Sequence, residues 1–209
     1  MEEKGIVATR DKAKERGDEW QIGETLSAAI GQSYNSYTPI QMAKYISMLA
    51  NGGEPIDVTI VKSINDVNGN QVSKEDITKF VNAKLGLTKE KKENLNIKKE
   101  NIDAILKGMK GVTSEEGGTA YSTFANFNIE LGGKTGSAQT DVQGKINGWF
   151  VGFAPYDEPE IAVVVLVEYA GSGSYTAEVA RDILQEYFGM NMEKVEEDLT
   201  AMPSTEIQN

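Results

Sequence analysis

The sequence predicts an α+β fold, and three observations carry that prediction. A capped amphipathic helix opens at Thr38, a strand-rich stretch fills the last third as far as Tyr169, and another amphipathic helix closes at Gly189. Helices come first, then a three-strand meander with a closing helix, so helix and strand segregate along the chain instead of alternating. A chain of 209 residues can bury a substantial core. Its 39% apolar and 25% charged residues are an ordinary globular balance.

Taken in order, residues 1–24 read as a polar lead-in. Positions 1–20 hold five Lys or Arg and six Asp or Glu with little apolar content, the composition of a solvated, frayed segment. Residues 25–189 carry the folded part. Thr38-Pro39-Ile40-Gln41 supplies an N-cap, a proline at the first helical position and a glutamine three residues after the cap. Ile40, Ala43, Ile46, Leu49 and Ala50 then fall on one helical stripe, which Asn51-Gly52-Gly53 ends. Val58–Ile64 and Gln71-Val72 flank Asp66-Val67-Asn68-Gly69-Asn70 and read as a hairpin around Asn-Gly, both of which tolerate positive φ. Residues 84–100 hold six Lys and three Glu, the mark of a solvated face. A second helix is expected from about Lys98 to Lys110, with Ile102, Ile105, Leu106 and Met109 inward.

The meander is expected from Asn128–Gln139, Trp149–Ala154 and Ile161–Tyr169. Pro155 closes its second strand, and its third is β-branched enough to be buried on both faces. Glu168 is expected at that strand's solvent end, because an unpaired buried carboxylate is costly. Ala180, Ile183, Leu184, Tyr187 and Phe188 form the inward face of the closing helix, with Glu178 and Arg181 outward. Residues 190–209 read as an acidic, loose tail.

Composition excludes several chemistries. With no Cys and no His there is no disulfide, no thiolate metal site, no cysteine nucleophile and no Ser-His-Asp triad, so any catalysis must use Ser, Thr, Lys, Tyr or carboxylates. A net charge of −11 argues against nucleic acid. The longest apolar run, Ile161–Val167, is too short to cross a bilayer, and the N-terminal Met-Glu-Glu-Lys has no apolar signal core. As written, the chain is expected to carry no export signal and no anchor.

The sharpest local signal is Gly132-Gly133-Lys134-Thr135-Gly136-Ser137-Ala138-Gln139. A P-loop would need Gly five residues before Gly133, and position 128 is Asn. Alone, the segment would read as an ordinary edge strand with an exposed lysine. It stands, however, among ordered blocks: Gly23-Glu24-Thr25-Leu26, Ala29-Ile30-Gly31-Gln32, Tyr37 to Ala43, Leu49-Ala50-Asn51-Gly52-Gly53, Gly108-Met109 with Val112-Thr113, Gly118-Thr119-Ala120, and Trp149 to Pro155. Together these resemble the C-terminal part of the transpeptidase domain of class B, elongation-type penicillin-binding proteins, over roughly residues 5–189.

That resemblance implies a penicillin-binding transpeptidase fold, here without the N-terminal strands and the nucleophile helix. It implies D,D-transpeptidation of peptidoglycan stem peptides through a serine acyl-enzyme, acylation by β-lactams, and no cofactor or metal. It places the parent protein in the membrane with this domain on the outer face. Lys134 would project charge at the substrate carboxylate, Gly136 would leave room for the substrate backbone, and the Ser137 N–H would be one oxyanion donor. The Thr135 and Ser137 hydroxyls would bind the terminal carboxylate. Most relatives have Thr where Ser137 stands, and Ser keeps the hydroxyl. Trp149 is read as sheet core in preference to a cleft-side aromatic.

The departure from the family pattern is large. None of the 12 serines is followed three residues later by Lys, so the Ser-x-x-Lys nucleophile pair is absent. Ser33-Tyr34-Asn35 and Ser63-Ile64-Asn65 spell the second motif, Ser-x-Asn, but chance supplies such triplets and both fall too late in the block order. Two other readings stand beside the enzyme part. One is a non-catalytic module binding cell-wall peptides or proteins; the other is a β-lactam sensor, which the class B blocks disfavour. The expected partners are the N-terminal half of the domain or a second copy of this chain.

Overall fold

The computed structural model describes residues 3–56, 58, 59, 61–86, 97–140 and 142–190. The acidic tail from 191 onward and positions 87–96 of the Lys-rich stretch lie outside the described residues. The polar lead-in contains a helix that its composition concealed, α1 (Arg10–Glu15), opened by Thr9, whose side chain accepts from the Lys12 N–H. Ala13 on α1 is fully buried. An antiparallel bridge between Ile6 and Ser36 ties the segment to the rest. α2 (Ile22–Ala29) follows with no buried residue.

α3 (Pro39–Ala50) forms as its sequence predicts. The Thr38 side chain accepts from the Gln41 N–H while the Gln41 side chain accepts from the Thr38 N–H, a complete capping box with Pro39 inside it. The hairpin expected around Asn68-Gly69 shrinks to a turn. Asn65 and Gln71 make a single bridge, and no strand forms among the described residues of 58–64. The Asp66 carboxylate accepts from the Asn68 and Asn70 N–H groups at 2.8 and 2.9 Å. These contacts, that with Asn70 foremost, hold its carboxyl below the usual carboxylate range. Gly69 takes positive φ, +86°, but Asn68 does not; the flanks lack a second layer to bury against, and an isolated hairpin is marginal.

α4 (Lys74–Leu85) is a surface helix capped by Ser73. α5 (Lys99–Ser114) runs one turn past its predicted end. It buries Ile102, Met109 and Thr113, while Ile105 remains 43% exposed. After the short α6 (Tyr121–Phe124) the chain enters an antiparallel sheet in the order β1 (Gly132–Gln139), β2 (Ile146–Ala154), β3 (Ile161–Val167), and α7 (Ser174–Tyr187) closes the fold.

Register decides which layer each strand residue meets. Lys134 pairs with Val151 and Gly136 with Trp149, whereas Thr135 pairs with Phe150. Because neighbours alternate faces, Phe150, Val163 and Val165 share one side, where they pack with Ala177, Ala180 and Leu184 of α7 and with Phe124. Val151 and Phe153 lie on the other side against Ile46 and Leu49 of α3 and Met109 of α5. Gly132 and Gly133 are required by this packing, since a Cβ at either would lie 2.6 Å from the Phe153 or the Phe150 ring.

Further expectations need correction. β3 is deeply buried only on the α7 side; Ala162, Val164 and Leu166 are half-buried because α3 covers only part of the opposite face. Trp149 is also half-buried on that face, and Phe150 occupies the core in its place. On α7, Ile183 and Tyr187 turn outward, and Arg181, read as solvent-facing, is half-buried against Asp182. Glu168 and Glu178 are exposed, as expected.

The outward face of α7 presents Tyr175, Val179, Ile183 and Tyr187, four apolar residues spaced by four and each 44–65% exposed. Among the described residues, β3 pairs only with β2, so its other edge is open. An open apolar edge beside an apolar stripe favours a covering partner. We therefore expect the isolated chain to self-associate, with a light-scattering mass that rises with concentration. A cooperatively unfolding monomer at every concentration would contradict this.

Candidate active site

β1 is held from below by α5. The buried Thr113 hydroxyl donates to the Leu131 carbonyl at 2.7 Å, just before the strand begins. Lys110 bonds Glu130 at 2.8 Å and sits 4.7 Å from the Tyr156 ring centroid. The Glu130 carboxylate holds the Lys110 ammonium above the usual lysine range. These contacts fix the start of the strand on a helix, and a rigid support is what a binding wall needs.

Beyond that anchor Lys134 is exposed, and its Nζ donates to the Thr135 carbonyl at 2.6 Å. Thr135 lies on the opposite face, where its hydroxyl shares a 2.7 Å hydrogen bond with that of Thr119. Two residues on and on the same face, the Ser137 Oγ accepts from the Gly173 N–H at 3.1 Å. Gly136 lies between them. A Cβ there would meet the Trp149 Cβ at 3.3 Å, and a Cβ on Gly173 would lie 2.2 Å from the Gly136 carbonyl oxygen. The close backbone approach therefore demands glycine at position 173, while a Cβ at 136 would need the Trp149 side chain to yield by only a few tenths of an ångström. A groove of about 760 Å³ runs along α5 past Gly108, Gly111 and Glu115 and ends at Thr119.

The four residues Lys134, Thr135, Gly136 and Ser137 thus come together on one strand with their polar groups on both of its faces. The two Ser-x-Asn spellings do not join them. Asn35 uses its carboxamide structurally, accepting from the Ala8 N–H at 2.9 Å and donating to the Gln32 carbonyl at 2.9 Å. Ser33 donates to the Glu24 carboxylate, and Asn65 forms the bridge to Gln71.

A family model described as the penicillin binding protein transpeptidase domain matches residues 7–185. The chain belongs to the penicillin-binding protein transpeptidase family. Penicillin-binding protein 2A of Bacillus subtilis is 30% identical over 207 residues, which cover 92% of this chain and 28% of that protein. The peptidoglycan D,D-transpeptidase MrdA of Haemophilus influenzae is 29% identical, with 91% of this chain and 30% of that protein covered. Among solved structures, Pseudomonas aeruginosa PBP2 in complex with WCK 5153 superposes with a TM-score of 0.72 at 32% identity, covering 89% of this chain and 38% of that one. Helicobacter pylori PBP2 in complex with MreC superposes with a TM-score of 0.67 at 26% identity, covering 90% and 31%.

The chain thus spans 28–30% of the length of these two curated relatives. The penicillin-binding transpeptidase fold is the one that the α+β reading and the ordered blocks implied. Two contributors at the strand were not foreseen. Thr119 stands in one of the blocks that carry the resemblance, without a role of its own there, and Gly173 stands in Gly171-Ser172-Gly173 between the third strand and the closing helix. Only the spacing of Gly171-Ser172-Gly173 ahead of an amphipathic helix could have marked Gly173.

Proposed function

We propose that this chain forms the Lys-Thr-Gly side of a D,D-transpeptidase that cross-links peptidoglycan stem peptides through a serine acyl-enzyme, and that β-lactams acylate. Residues 25–189 carry this part, with 1–24 before it and 190–209 after it. The observation that carries the reading is the β1 strand itself: an exposed Lys134 on one face and two hydroxyls, Thr135 and Ser137, on the other, on a strand anchored by α5. In this role Lys134 attracts the substrate carboxylate, the two hydroxyls hydrogen-bond it, and the Ser137 N–H faces the developing oxyanion.

The serine comes from a segment outside these 209 residues, since no Ser-x-x-Lys occurs among them. That absence also favours a second reading, a module of the same fold that binds cell-wall peptides or partner proteins without catalysis. Relatives seen with MreC and in a peptidoglycan synthase complex support partner binding. The catalytic reading places the domain on the outer face of the cytoplasmic membrane. No helix among the described residues is long and apolar enough to cross a membrane.

Complementation separates the two readings. This chain is mixed with a polypeptide carrying the Ser-x-x-Lys segment of a relative and treated with labelled penicillin. The catalytic reading expects an adduct on the added serine that depends on the presence of this chain. Labelling that is independent of this chain would favour the binding module.

A further inference from the structure

We infer that Gly173 is a positioning residue for the carboxylate-binding hydroxyl of Ser137, and that it makes the site select an anionic terminus over a neutral one. The inference rests on the transpeptidase reading and assigns a task to a residue which that reading leaves out. A serine hydroxyl has one proton to donate and two lone pairs to accept with. The Gly173 N–H, 3.1 Å from Ser137 Oγ, occupies an acceptor position of that oxygen. Only the donor and one lone pair then remain for a ligand, and an anionic oxygen takes the donor.

The donor is well suited to this task. Gly173 caps the N-terminus of α7, where N–H groups are left without intrahelical partners and carry the positive end of the helix dipole. A hydroxyl that accepts from such an N–H is polarised toward donating. The contact also demands glycine. Gly173 is buried, and any Cβ on it would lie 2.2 Å from the Gly136 carbonyl oxygen, so a side chain here would push the α7 N-terminus off the strand. The α7 terminus and the Lys134 strand are thereby locked together at the one residue between Thr135 and Ser137.

Because Gly173→Ala would collide with the strand, the test varies Ser137 and reads Gly173. The full chain, labelled with nitrogen-15, is titrated with N-acetyl-D-alanyl-D-alanine and separately with its C-terminal carboxamide. The Gly173 amide resonance is expected to shift upfield in Ser137→Ala and to stay near its wild-type position in Ser137→Thr. The carboxylate peptide is expected to bind about tenfold or more tightly than the carboxamide in wild type and in Ser137→Thr, and that preference should fall in Ser137→Ala. A Gly173 amide indifferent to Ser137→Ala would overturn the inference and leave the site reading intact. So would equal binding of the two peptides. If neither peptide shifts any resonance of residues 134–137, the site reading itself falls, and the inference falls with it.

Discussion

Treated alone with a labelled penicillin, this chain is expected to gain no stoichiometric adduct by intact mass. Acylation needs a nucleophile activated by a base within hydrogen-bond reach. The chain has no Cys and no His, and none of its 12 serines carries the Lys three residues on that the family uses. Ser33 is paired with a carboxylate, the Glu24 side chain. A solvent-exposed carboxylate is a weak base toward an alkyl hydroxyl, so that pair lacks the driving force for proton transfer. Ser137 accepts from the Gly173 N–H, which draws electron density from its oxygen and makes it a poorer nucleophile. An adduct mapped to either serine would replace the reading offered here with a different active site.

In protein assembled with a Ser-x-x-Lys segment, Lys134→Ala is expected to slow acylation by roughly 100- to 1,000-fold, or about 3–4 kcal/mol of barrier. A fixed charge aimed at developing negative charge acts mainly on the transition state, so the rate should fall far more than the affinity. The fold should not change, because the Lys134 side chain is exposed and, among the described residues, its ammonium hydrogen-bonds the neighbouring Thr135 carbonyl. Substitutions at such positions shift stability by about 0.5 kcal/mol or less. Lys134→Arg should recover part of the rate, since it keeps the charge but spreads it over a planar fork. Stopped-flow acylation of the three proteins, with denaturant unfolding of each, gives both quantities. Equal rates for Lys134→Ala and wild type would leave Lys134 a surface charge and remove it from the site.

Helix α3, the three strands and α7 were legible because each is specified locally. The Thr38–Gln41 capping box, the Pro39 that fits it, the β-branched run from Ile161 and the glycine at 189 all act within a few residues of their own position. The Lys134 segment was legible for another reason. Short motifs in a fixed order identify a family even where no single motif suffices.

What escaped the sequence was what depends on coverage. Ile183 and Tyr187 have the spacing of a core face, yet they lie outside because the sheet covers α7 along the Ala177, Ala180 and Leu184 line. Trp149 and Phe150 are adjacent aromatics with the same local preference. Register alone sends Phe150 into the α7 layer and leaves Trp149 half-buried beside Gly136. Helix α1 hid in a charged stretch because one buried alanine and a threonine cap were enough to seat it. Thus the sequence by itself determined α3, the core of α5, the three strands with the one that bears Lys134, α7 and the chemistry excluded by lacking His and Cys. Only the tertiary structure decided which face each side chain takes and that Thr119 and Gly173 meet the hydroxyls of that strand. Those contacts join residues 16 and 36 positions apart, and no local preference encodes a pairing at that range.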